Sequence, residues 1–83
     1  MASNVFVRSV DGERFAQVIE SGEHQLFADE PKSVGGSDRG PGPYEYLLAA
    51  LGSWTSMTLR MYAERKKIAL QKVEVRLSHL RIH

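Results

Sequence analysis

The chain has 83 residues, of which 11 are basic, 10 acidic and none cysteine, which is consistent with one domain spanning 1–83 without disulfides or a cysteine-bound zinc. A chain this short buries only about 60% of the surface its unfolded form exposes, so self-association is the remaining source of burial. The even charge argues against a dedicated nucleic-acid or membrane-surface binder, and the longest apolar run, LLAAL, is far too short for a membrane span.

Asn4 to Val10, NVFVRSV, alternates apolar and polar side chains with the period of a half-buried strand. Asp11-Gly12 then predicts a tight hairpin, and ERFAQVIE continues as a second strand to Glu20. Ser21-Gly22-Glu23 reads as a second turn and HQLFAD as a third strand, which makes a three-stranded antiparallel meander. No apolar stretch of signal-peptide length precedes these strands, so a soluble, cytoplasmic protein is expected.

Residues 30–42, EPKSVGGSDRGPG, show no periodicity and form a loop that is long for a compact domain. Pro43 suits the first position of a helix, where its missing N–H costs nothing, and Glu45 suits the positive pole of the dipole. The helix should run to about Lys67, with the basic RKK at its negative end. From Leu70 to His83 the alternation returns and predicts a last strand. The order is βββ-loop-α-β, an α+β domain. Leu47, Leu48, Leu51, Trp54, Thr55, Thr58 and Tyr62 form one helical stripe for the sheet to cover. Tyr46, Ala49, Ala50, Met57, Leu59 and Met61 occupy much of the rest. A helix apolar on most sides needs cover on most sides, and one sheet supplies a single layer.

Local candidates for chemistry are weak. GGSDRGPGP before a helix start resembles an anion-binding loop, but it lacks the Gly-Lys-Ser/Thr ending of a P-loop and the dinucleotide fingerprint. His79 and His83 on a strand stand about 13 Å apart, too far to share a metal ion. Asp29 and Glu30 would point to opposite faces of a strand, and a turn before Pro31 accounts for them better than paired carboxylates. Ser53 and Ser56 have no local histidine, although His24 and His79 could approach them in space.

HQLFADEPKSVGGSDRGPGPYEYLLAALGSWTSMTLRMYAERKKIALQKVEVRLSHLRIH, from His24 to His83, resembles the OsmC/Ohr family. The resemblance rests on ordered elements: ADEP, the GG-x-D-x-GP-x-PYE loop, LLAALG, TLRMYAERK and V-x-V-x-L-x-H-x-R-I-H. It implies an antiparallel sheet packed on a long central helix, completed by an intertwined homodimer. The implied activity is reduction of organic hydroperoxides in the stress response, by a thiolate that becomes sulfenic acid and is resolved by a second cysteine.

That chemistry is missing from this chain. LGSWT stands where the family has LG-x-C-T, so Trp54 occupies the position of the peroxidatic cysteine, and an indole supplies no thiolate. The resolving cysteine belongs to sequence beyond the last strand. Glu45 is the nearest match to the family's glutamate, which in some members directly follows the proline, where this chain has Tyr44. Arg39 is the nearest arginine to the family's partner arginine.

A non-peroxidase relative is therefore expected, without cofactor or metal, in a ligand-binding or a structural and interaction role. The alternative is a hydroperoxide-detoxifying enzyme that draws cysteines from a partner chain. Trp54 either occludes the old thiol pocket or floors a pocket for a small apolar ligand. Residue 54 should face the sheet or a partner subunit, with its indole largely buried and the N–H bonded to a polar group such as Glu45 or a water.

Overall fold

The computed structural model describes residues 4–78. The chain folds as two compact units, Met1–Glu45 and Tyr46–His83.

The first unit holds an antiparallel sheet in the order β1-β2-β3: β1 Val5–Ser9, β2 Gln17–Ser21 and β3 His24–Ala28. The three-stranded meander of the sequence is therefore present. Ser21 pairs with His24, so Gly22-Glu23 closes a two-residue hairpin. Gly22 carries φ +60 and Glu23 is not among the positive-φ residues, as in a type II′ turn.

Asp11-Gly12 behaves differently from expectation. The first ladder ends at Ser9 opposite Gln17, leaving a seven-residue connection rather than a tight hairpin. Within it the Glu13 N–H donates to the Val10 carbonyl (3.2 Å), and the Val10 N–H donates to the Ala16 carbonyl (3.1 Å). Gly12 is at φ +81 and Asp11 is not at positive φ, which gives a type II turn where a two-residue type I′ hairpin needs both.

Burial in this unit is slight. Ala16, Val18 and Ala28 are its buried apolar residues, on and beside the central strand. All five residues of β1 are exposed, Val5, Phe6 and Val7 included. The alternation marks the strand correctly, but neither face of β1 is covered.

Helix α1 runs from Pro43 to Lys66 and carries the second unit. Its C-terminus is a Schellman motif: the Ile68 N–H donates to the Ala63 carbonyl (2.8 Å) and the Lys67 N–H to the Glu64 carbonyl (3.2 Å). Lys67 stands in the left-handed region at φ 57, a place that glycine fills without steric cost. Ala63 is the helix's buried residue.

The predicted fourth strand is not formed among the described residues. Residues 68–78 carry no strand ladder, because a ladder needs a neighbouring edge and this segment meets a helix. The alternation is still used. Val73, Val75 and Leu77 line one side of a groove whose other side is Leu48, Ala49, Gly52, Ser53 and Ser56 of α1. A Cβ on Gly52 would lie 2.9 Å from Leu77 Cδ1, so a side chain there would make the Leu77 side chain shift. Residues 79–83, with His79 and His83, lie outside the described residues.

The left-handed Lys67 yields a prediction. Lys67→Gly keeps both capping hydrogen bonds, relieves the strained backbone and stabilises the helix end by about 0.5–1 kcal/mol. Urea denaturation of the two proteins, followed by helical circular dichroism, measures it. A destabilised variant would contradict it.

Candidate functional site

The sequence candidates Arg39 and Glu45 lie on either side of the bend from the glycine-rich loop into α1, and the loop is built around Asp29. Asp29 follows β3 and is 3% exposed. Its Oδ1 accepts the N–H of Glu30 (2.7 Å), and its Oδ2 accepts the N–H groups of Ser37 (3.2 Å) and Arg39 (3.1 Å). The Asp29 N–H donates to the Pro41 carbonyl, and the Asp38 N–H donates to the Glu30 carbonyl, both at 3.1 Å. The returning arm is thereby stitched to the departing one.

Burial alone would raise the carboxyl pKa. The N–H groups of Arg39, Glu30 and Ser37, with the charge of Arg39, outweigh it and hold Asp29 below its ordinary 3.8. Close approach is part of the same construction, since a Cβ on Gly40 would run into the Phe27 carbonyl.

This arrangement disposes of the anion-loop reading. The loop does cradle an anion, and the anion is its own aspartate. The first free N–H of the helix is also taken: Gly42, the N-cap, donates to Glu45 Oε1 (3.1 Å), half of a capping box, with Pro43 at the first helical position. Glu45 thus secures the helix start. Arg39 is held by its side chain as well, 3.4 Å from Glu13 Oε1 and with its guanidinium carbon 5.4 Å from the Phe27 ring centroid.

A small apolar cavity of about 200 Å³ lies in the same unit, lined by Phe15, Gln17, Ala28, Asp29, Glu30 and Pro43. The Asp29 carboxylate at its wall is fully engaged by the loop, so it offers a ligand little.

Trp54 is not covered within the single chain. It is 69% exposed. The helical face covered within its unit carries Leu48, Gly52 and Ser56, against Val73, Val75 and Leu77. At 100° per residue Trp54 points roughly opposite to Gly52. It shares its open face with Leu47, Leu51 and Met61, all exposed. Of the stripe expected to be covered, Leu48 lines the groove while Leu47, Leu51, Trp54 and Tyr62 are exposed, because the returning segment lies where glycine and serine leave room.

Of the serine candidates, Ser53 spends its hydroxyl on the Ala50 carbonyl (3.2 Å), and Ser56 faces the groove of about 290 Å³. His24 lies at the start of β3. Among the described residues no group of His, Asp and Glu is placed to hold a metal ion, and no helix is long and apolar enough to cross a membrane.

Sequence reasoning missed Asp29 as the organiser of the loop. The available signal was an aspartate placed directly before a glycine-rich return, the residue type that accepts from neighbouring backbone N–H groups.

The profile described as OsmC-like protein matches residues 35–82, from the glycine-rich loop through α1 and the returning segment. No curated protein and no solved structure matches the chain. The chain belongs to the OsmC-like family, and with no cysteine it has no thiol peroxidase site of its own.

The depressed pKa of Asp29 fixes a sign. Its carboxylate contributes stability above its unfolded pKa, and that contribution is lost as pH falls through the lower folded value. Asp29→Asn therefore lowers the thermal midpoint at pH 7, and the gap between the two proteins narrows as pH drops below 3.8. A gap constant from pH 7 to pH 2 would mean that the charge of Asp29 does not hold the loop.

Proposed function

We propose that this chain is a non-peroxidase OsmC-like protein whose role is structural and interactive, exercised as a homodimer through the open face of α1. The observation that carries the reading is Trp54: an indole at the position the family resemblance assigns to a thiol, exposed on an apolar helical face. A tryptophan there cannot reduce a peroxide, and it is the residue type most enriched at binding hot spots.

The occupant of the face is a second copy of the chain. A stable interface buries about 1,200–2,000 Å² in total, and the exposed Leu47, Leu51, Trp54, Met57 and Met61 of α1 offer apolar surface to it. The chain's formal charge of +1 sets up little repulsion between copies. The dimer of the family resemblance would supply the second layer that a helix apolar on most sides requires. A ligand-binding role has one observation in its favour, the groove beside Gly52 and Ser56, whose size suits a small molecule. A cytoplasmic location fits both readings.

Two measurements test this. Sedimentation velocity over a dilution series should give a dimer at micromolar concentration, and Trp54→Ala should raise its dissociation constant about thirtyfold, the effect of losing a hot spot of about 2 kcal/mol. A folded monomer at all concentrations would overturn the dimer. With cumene hydroperoxide and a dithiol reductant, turnover should not exceed the no-protein control. A rate dependent on the chain and resistant to chelation would overturn the non-peroxidase assignment.

A further inference from the structure

Met57 and Met61 sit one helical turn apart beside Trp54, at spacings of three and seven residues, which puts all three on one side of α1. Both are open to solvent in the single chain, Met57 at 59% and Met61 at 63%. With no cysteine in the sequence, thioethers are the readily oxidised sulfur groups available. They flank the indole that the proposed dimer would bury.

We infer that Met57 and Met61 make this face peroxide-sensitive, so that oxidation of their thioethers weakens self-association. This rests on the dimer reading above.

In the reaction, the thioether sulfur attacks one oxygen of a hydroperoxide. An S–O bond forms, the O–O bond breaks, and the hydroperoxide proton passes to the departing oxygen. Sulfur loses two electrons and becomes a sulfoxide, while the peroxide is reduced to an alcohol, or to water for hydrogen peroxide. The product exchanges a flexible apolar group for a strongly polar one. Burying a sulfoxide without a hydrogen-bond donor is unfavourable, and the neighbours on this face, Leu51, Trp54 and Thr58, present mainly carbon. The free chain exposes both sulfur groups and can be oxidised, whereas the dimer hides them. Oxidation therefore draws the equilibrium toward separated chains by mass action.

The step consumes one peroxide per methionine and stops there, so it does not amount to peroxidase turnover. Thiol-dependent reduction of the sulfoxides would restore the face.

The test uses the full chain and hydrogen peroxide, with oxidation located by peptide mass mapping and assembly followed by sedimentation. The expected result is a dimer before treatment and a dissociation constant raised about tenfold or more once Met57 and Met61 each carry one oxygen. Met57→Leu/Met61→Leu should form the dimer and keep its dissociation constant through the same treatment. Met57→Gln/Met61→Gln should associate weakly without any oxidant.

A wild-type dimer whose constant is unchanged when both methionines are oxidised would overturn the inference and leave the dimer standing. So would a dimer whose Met57 and Met61 stay unoxidised while Met1 reacts, or a leucine variant that dissociates as readily as wild type. A wild-type chain that is monomeric before treatment would overturn both this inference and the dimer reading.

Discussion

The carboxylate of Asp29 is the interaction on which the order of the first unit depends. A chain leaving a sheet with a long loop ahead of it, broken only by a turn of 3-10 helix at Lys32–Val34, must satisfy the backbone donors of that segment or leave them to water. Here three of them converge on one buried side chain, from Glu30, Ser37 and Arg39. Two backbone hydrogen bonds, from Asp29 to Pro41 and from Asp38 to Glu30, close the return. Fixing the backbone at residue 39 also fixes where the Arg39 side chain starts, beside Phe27 and Glu13. Fixing Pro41 presents Gly42 and Pro43 to begin the helix. Arg39 and Glu45, the two polar candidates, lie on a return that the aspartate holds in place.

Much of this was legible in the sequence, for physical reasons that differ by element. The helix start was readable because its determinants are local: proline at the first position and a glutamate within reach of the N-cap N–H. The strands were readable from period-two alternation, and their order from turn residues. The Asp11-Gly12 hairpin was misread because the type I′ turn that Asp-Gly favours needs positive φ at both central positions, and Asp11 does not adopt it. Asp29 was missed because its partners lie eight and ten residues away, a closure that no local window contains.

The tail shows a further limit. Alternation at 73–77 correctly predicts that Val73, Val75 and Leu77 share a side. It does not say whether that side faces a sheet, a helix or another chain. Strand ladders are made by neighbours, and the pattern of a single segment does not name its neighbour. The same ambiguity inverted part of the helix stripe. Leu47, Leu48, Leu51 and Trp54 were assigned together to the covered face, yet the segment from the same unit settles over Leu48, Gly52 and Ser56 and leaves the other three exposed. Gly52 leaves room for the Leu77 side chain.

That inversion bears on why a tryptophan can stand where the family resemblance places a thiol. Residue 54 projects away from the groove, so its identity matters little to the packing inside its own unit. Exchanging a sulfur for an indole there opens no cavity and forces no neighbour off its rotamer. It adds instead a side chain able to bury some 150–250 Å² at a contact. The position is thus free to trade chemistry for adhesion: a thiolate needs an electropositive, partly solvated setting to react, whereas an indole needs only cover. In a chain whose buried apolar residues include Ala16, Val18, Ala28 and Ala63 but no large side chain that is fully buried among the described residues, cover is the scarcer resource. An exposed aromatic on the largest helix is a direct way for the chain to obtain that cover from a second copy.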